Sequence, residues 1–247
     1  MNKKGKKLCK IIGAILGLVL LLVGVCLVKL YVETRKMTPV GTGEILEGVY
    51  AVRDGYVNLF LIKAGQAYIA FDAGNNADHI QKELSRMNID PGMVAAVFLT
   101  HSDADHTAGL GLFPNAAIYI SKQEEQMING RTTRLLIVKN KIKQTCEFLE
   151  DNQILAISGV NVRGILMPGH TPGSMNYLIN DGLLFAGDSM SLKDGKILTF
   201  NDMFNMDSKT HEMSLRKLAL VSGVNYILTA HYGITKISPI SFDAWKE

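Results

Sequence analysis

The sequence predicts a layered α/β domain carried behind one N-terminal transmembrane helix. Three observations predict it. Residues Ile11 to Val28 form an uncharged apolar run of 18 residues. Downstream, β-rich and helix-spaced segments alternate, which calls for sheets covered by helices. Four of the six histidines fall just after segments that read as strands.

The apolar run spans about 27 Å as a helix, close to the hydrocarbon thickness of a bilayer. Lys3, Lys4, Lys6, Lys7 and Lys10 precede it, and Lys29, Arg35 and Lys36 follow it. The excess on the N-terminal side puts that end in the cytoplasm and everything after Leu30 outside. A cleaved signal peptide has a shorter apolar core ending in a small-x-small site, and Val25-Cys26-Leu27-Val28 offers none. The chain therefore divides into a basic cytoplasmic segment (1–10), a transmembrane helix (11–30), a linker with Pro39, Gly41 and Gly43 (31–44) and the main folded domain (45–247). From Met37 onward 18 Lys and Arg face 22 Asp and Glu, a balance of −4. Composition thus gives no broad basic face for nucleic acid, and no nucleic-acid partner is indicated. Cys146 is alone beyond the apolar run, so neither a disulfide framework nor a cysteine zinc site is available there.

Taken in order, Val57–Lys63 and Ala67–Phe71 are β-rich and separated by Ala64-Gly65-Gln66, which predicts a hairpin. Ala77–Asn88 carries Ile80, Leu84 and Met87 at helical spacing, and Pro91-Gly92 closes it. Val94–Leu99 is wholly apolar, the pattern of a buried strand. Ala116–Ile120 reads as a strand, with a helix from about Ser121. Arg131–Leu149 reads as mostly helical, with Arg131, Arg134, Lys139, Lys141 and Lys143 on a solvated face or, as the alternative, along a substrate groove. Ile154–Ile157, Val160–Met167, Asn176–Ile179 and Leu183–Ala186 follow as strands, then a helix over Asp207–Val221 and a last strand at Tyr226–Thr229. His79 and His211 lie in polar, helix-like stretches and are expected to be solvated.

The chemistry concentrates at four loops: Thr100-His101-Ser102-Asp103-Ala104-Asp105-His106-Thr107, Pro168-Gly169-His170-Thr171-Pro172-Gly173-Ser174, Ala186-Gly187-Asp188-Ser189 and Ala230-His231-Tyr232-Gly233. Four potential ligands within six residues repel or go unsatisfied unless a cation or water neutralises them. Loops held at the ends of a rigid sheet are where such groups do chemistry.

This set resembles the metallo-β-lactamase superfamily, whose signature is His-x-His-x-Asp-His, a downstream His in a Gly-His-Thr-x-Gly-Ser turn, an Asp and a final His. Phe71-Asp72-Ala73-Gly74 is similar to the superfamily's early Asp motif, and the likeness runs from about Ile45 to the C-terminus. The resemblance implies a four-layer αβ/βα sandwich with two divalent ions at one edge. It implies zinc first, with iron or Mn²⁺ as alternatives for an imidazole and carboxylate donor set. His101, Asp103 and His170 would hold the first ion. Asp105, His106 and His231 would hold the second, and Asp188 would bridge. Asp105 would also orient the nucleophile, and Asp72 would orient a ligand from behind. Asp103 departs from the pattern, standing where the family has its second His. Two divalent ions with Asp103, Asp105 and Asp188 leave a formal charge of +1 where the usual His leaves +2. A less positive centre acidifies bound water less and tilts toward harder ions.

The implied activity is hydrolysis of an ester, thioester, lactone, amide or phosphodiester in a small-molecule substrate by metal-bound hydroxide. A membrane-tethered binding or sensor module on the same fold is the competing class, which the nearly full ligand set disfavours. Fold does not select the substrate.

Overall fold

Successive residues of a strand face opposite sides of its sheet, so a strand apolar at every position must be covered twice. Val57–Ala64 is such a strand: every residue but Lys63 is buried. Its alternate residues Leu59 and Leu61 pack with a helix, whereas Phe60 and Ile62 pack toward a second sheet. The computed structural model describes residues 3–134, 138–180, 182–238 and 241–245 and divides the chain at Met37/Thr38 into two units.

The N-terminal unit is one helix, α1 (Lys3–Arg35). Its stretch Lys10–Arg35 is long and apolar enough to cross a membrane, and none of its apolar window is buried. The helix does not stop at Leu30 to leave a linker over 31–44. Thr34 Oγ1 bonds back to the carbonyls of Leu30 and Tyr31, continuing the helix to Arg35. The second unit then begins at once, with Thr38 N donating to His231 O at 2.8 Å.

In that unit β1 (Gly43–Leu46), β2 (Val49–Asp54), β3 (Val57–Ala64), β4 (Ala67–Phe71), β5 (Val94–Phe98), β6 (Ala117–Ser121) and β7 (Cys146–Leu149) form the first sheet, in chain order. The β1–β4 pairs are antiparallel, whereas β4, β5, β6 and β7 run parallel. The second sheet contains β8 (Ile154–Ile157), β9 (Val160–Leu166), β10 (Met175–Ile179) and β11 (Leu183–Gly187). After the hairpin of β12 (Ser191–Lys193) and β13 (Lys196–Leu198) come its last members, β14 (Tyr226–Thr229) and β15 (Gly233–Lys236). Its order is β15-β14-β11-β10-β9-β8, with β11 and β14 parallel and the other pairs antiparallel.

Phe60, Phe71, Phe98, Tyr177 and Phe185 fill the space between the sheets, where the Phe71 and Phe185 rings stack 3.9 Å apart. Burying each such ring is worth roughly 1.5–3 kcal/mol. Outside the first sheet lies α2 (Ala77–Arg86), started by Asn76, whose side chain accepts from His79 N; it buries Ile80 and Leu84 one turn apart. Between the sheets' working loops sit two short helices, α3 (Ala104–Thr107) and α4 (Glu125–Ile128). Outside the second sheet lies α5 (Ser208–Leu218), capped by Asp207 and burying His211, Ser214, Leu215 and Leu218. Helix, sheet, sheet and helix make the four-layer sandwich.

Two sequence expectations fail here. No helix occupies the described residues of Arg131–Leu149: Arg134 and Val138 pair in an isolated β-bridge and β7 adds to the free edge of β6. Leu135–Ile137, in the middle of that stretch, lie outside the described residues. An open parallel edge outweighs a weak helical pattern. His211 is fully buried, because it lies on the same face of α5 as Leu215 and Leu218 despite its polar neighbours.

Candidate metal centre

Strand direction explains why the motifs meet. β4 and β5 run parallel, so Asp72 and the 100–107 loop leave from the same edge of the first sheet. β9, β11 and β14 all run one way, so His170, Asp188 and His231 leave the corresponding edge of the second. Carboxyl ends of parallel strands are where α/β folds gather functional groups. All seven expected donors come together. His101, Asp103 and His170 form one group, and Asp105, His106 and His231 another. The Asp188 carboxylate lies between them, Oδ2 at 3.4 Å from His170 Nε2 and Oδ1 at 3.4 and 3.1 Å from the Nε2 atoms of His106 and His231.

In the first group His101 Nε2 and His170 Nε2 are 3.1 Å apart, and Asp103 Oδ2 is 3.5 and 3.3 Å from them. Four donors about 2.05 Å from a zinc ion lie about 3.3–3.4 Å from one another. In the second group Asp105 Oδ2 is 3.8 and 3.7 Å from the Nε2 atoms of His106 and His231. His106 Nε2 and Asp188 Oδ1 are buried without a hydrogen-bond partner, so donor chemistry and spacing fit a cation in each group.

Supporting bonds fix most of the rings. Asp72, at φ 60°, turns its carboxylate back under the loop to accept from Thr100 N, from Thr100 Oγ1 and from His106 Nδ1, the last at 2.8 Å. His231 Nδ1 donates to the Tyr56 carbonyl at 2.7 Å while the Tyr56 ring stacks on it at 5.8 Å. His101 Nδ1 lies 3.0 Å from Thr100 Oγ1, whose own proton goes to Asp72. Each bond places the proton on Nδ1 and turns the Nε2 lone pair inward. His170 Nδ1 has no partner among the described residues; its ring meets Phe200 edge-on at 5.2 Å.

Charge follows burial and neighbours. Burial first, and then the positive charge of His101 and Arg134, drive the His170 pKa down to about 4 against the pull of Asp188 and Asp103. Burial also works against charge on His106, but Asp72, Asp188 and Asp105 outweigh it and hold the pKa well above the ordinary value. Burial would raise the Asp188 carboxyl, yet His231, His106 and His170 keep it well below the usual range. The Tyr56 hydroxyl is pushed up to about 12 by burial and by Asp105 and Asp188.

Sequence reasoning missed Glu124, a fully buried carboxylate with four hydrogen bonds. Its Oε1 accepts from Ser102 N and Oγ, and its Oε2 from Thr171 Oγ1 and Gly173 N. It therefore ties the loop of His101 and Asp103 to the loop of His170. Gly173 is required there, because a Cβ would lie 2.1 Å from Glu124 N. Gly187, at φ 49°, likewise lets Thr100 pack against the strand end that delivers Asp188. Glu124 stands in a polar stretch whose spacing gives it no signal. Of the two readings for Arg134, a solvated face or a groove lining, the structure gives the second: it reaches inward to Asp103, which Asn140 also contacts through Nδ2 at 2.8 Å. Beside the donors a cleft of about 500 Å³ is lined by Asp103, Asp105, Arg134, Lys139 and Lys141 among others. The His79 ring bonds to the Arg53 carbonyl, and Tyr232 packs edge-on to Phe200.

The model of the metallo-β-lactamase superfamily matches residues 52–231. The chain belongs to that superfamily. BaeB of Bacillus velezensis, named a probable polyketide biosynthesis zinc-dependent hydrolase, is 32% identical over 138 residues, covering 55% of each chain. A hydroxyacylglutathione hydrolase of Gloeobacter violaceus is 26% identical over 186 residues, 73% of this chain and 65% of its own. The chain thus spans about half to two thirds of the length of these superfamily relatives. Among solved structures, a Cronobacter sakazakii metallo-β-lactamase with a HARLDQ motif, in mutant form, superposes with a TM-score of 0.63 at 23% identity over 78% of this chain and 81% of that one. BJP-1 of Bradyrhizobium japonicum, a subclass B3 metallo-β-lactamase, gives 0.63 at 14% identity over 79% of each. At that identity the superfamily likeness speaks for the fold.

Proposed function

We propose that this protein is a metal-dependent hydrolase that cleaves an ester or thioester of a small-molecule acyl substrate, held at the outer face of a membrane by α1. The observation that carries the reading is the convergence of seven donors whose lone pairs face two adjacent points, with two of them buried and unpartnered. His101, Asp103 and His170 would hold one ion and Asp105, His106 and His231 the other, with Asp188 shared. Two divalent ions, zinc first and iron or Mn²⁺ next, supply Lewis acidity and an acidified water when bound. The chain's own residues do the rest. Asp72, Thr100 and the Tyr56 carbonyl hold the imidazoles of His101, His106 and His231 in one tautomer, and Asp105 faces the cleft, where it can accept a proton from water. Lys139 and Lys141 on the cleft wall suit a substrate that carries an anionic group.

The acyl reading draws support from relatives named as hydrolases, among them the hydroxyacylglutathione hydrolase and an atrochrysone carboxyl ACP thioesterase of Pseudocercospora fijiensis, 24% identical over 139 residues. The anchor reading rests on the length and apolarity of Lys10–Arg35, and the excess of lysine before it supports a cytoplasmic N-terminus. The test is turnover by metal-loaded full-length protein in detergent, with a p-nitrophenyl ester, an acyl thioester, bis(p-nitrophenyl) phosphate and a chromogenic β-lactam compared side by side. The expected result is fastest cleavage of the thioester or ester. Binding of ions with no turnover of any substrate would favour a tethered sensor instead.

A further inference from the structure

Arg134 reaches the first group of donors, and its hydrogen bonds decide what that group can hold. Its Nε lies 3.2 Å from Asp103 Oδ1, and its Nη2 donates to Asp103 Oδ2. The same Nη2 lies 2.7 Å from His170 Nε2, and Nη1 donates to the Phe204 carbonyl, which fixes the head group. Both partners of the ion pair are largely shielded, at 16% and 18% side-chain exposure.

A carboxylate has lone pairs for several partners, so Asp103 can serve Arg134 and an ion together. An imidazole nitrogen has one. While His170 Nε2 accepts from the guanidinium, that lone pair is closed to a metal. Asp103 is the N-cap residue of α3, yet its carboxylate makes no capping bond; it is turned to Arg134 and Asn140 instead. The second group differs: its described contacts include no Lys or Arg, and His106 Nε2 is unpartnered.

We infer that Arg134 is an internal cation of the first group, so that the centre holds one ion tightly among Asp105, His106, His231 and Asp188 and admits the other only when the guanidinium leaves His170. This rests on the metal-centre reading above, and is independent of which substrate is cleaved. The competition is between like charges for one lone pair, so it acts on affinity at one position and leaves the other nearly untouched.

The experiment is calorimetric titration of the metal-stripped full-length protein, in detergent, with Zn²⁺. The wild-type chain is expected to bind two ions with affinities at least a hundredfold apart. Arg134→Ala should tighten the weaker step at least tenfold and move the stronger by less than threefold. Arg134→Gln, which keeps a donor toward Phe204 and Asp103 without the charge, should do the same if the alanine variant does not fold. Two equally tight ions in the wild type overturn the inference without any variant, as does a weak step unmoved in folded Arg134→Gln. Failure to bind any ion would sink the metal centre itself, a result distinct from either.

Discussion

His101, Asp103 and His170 on one side of the centre, and Asp105, His106 and His231 on the other, are the same kinds of donor at similar spacing, but their surroundings differ. The second set is held from behind. Asp72 takes the His106 Nδ1 proton and the Tyr56 carbonyl takes that of His231, so both Nε2 lone pairs are left facing inward. The first set is held partly from the front, because Arg134 lies against Asp103 and His170 on the side an ion would use. Its loops are tied together instead by Glu124. The comparison teaches that donor identity and spacing do not by themselves rank two metal positions; the hydrogen bonds already made by each lone pair do.

The largest expected effect erases the difference. Asp188 touches both sets, so Asp188→Ala should strip both ions and lower turnover by roughly a thousandfold, read by elemental analysis and initial rates. Two full equivalents retained would break the shared-ligand reading. Asp72→Ala should instead act mainly on the second side, weakening the tightly held ion by about 10–100-fold through loss of the direct bond to His106, and the first side less, through Thr100 behind His101. Metal titration checks it, and an equal loss at both positions would mean that the two sets are not independently supported.

Glu124→Gln is the matching lesion for the other side. An amide turns a donor toward groups that already donate, which should cost about 2–3 kcal/mol and lower the melting temperature by several degrees. The weaker ion should suffer and the stronger should not. Asp103→His sharpens the comparison further, since it removes the partner of Arg134 and supplies a neutral donor. Competition between Zn²⁺ and Mn²⁺ should then move toward zinc, about tenfold, at the first position alone.

The smallest effect concerns a support common to both sides. His211 donates through Nε2 to the Ser189 carbonyl, next to Asp188, and lies against Gly169, next to His170. Burial holds its pKa below 6.5, so the fold favours the neutral ring. The stability this contributes is fully present above the unfolded value of about 6.5 and is lost as pH falls through the lower folded value. Between about pH 7.5 and 5.5, wild type should therefore lose a few degrees more of melting temperature than His211→Gln, with both ion affinities changing alike.

The convergence of the seven candidate donors and Asp72 was legible because they stand in ordered motifs at strand ends, and strands such as Val57–Ala64 announce themselves by continuous apolarity. Glu124 was not legible, since a polar residue in a polar stretch becomes special only when two loops from distant strands close over it. The inward reading of Arg134 ranks second to a solvated one for a related reason. Its segment has no burial period of its own, and what places it is the bridge to Val138 and the Phe204 carbonyl, both set by the fold. His211 could have been found, because it keeps i, i+4 and i+7 register with Leu215 and Leu218.

The position of β14 sets an order of events. It is the next-to-last strand in the chain, yet it lies beside β11 inside the second sheet and delivers His231 to the centre. A chain that emerges from its N-terminal end displays six of the seven donors well before the last arrives, and the group of Asp105, His106 and His231 stays incomplete until Tyr226–Thr229 docks. If the second group holds an ion as proposed, its capture would be a late event in the life of the newly made protein. An ion retained there would report that the second sheet has closed.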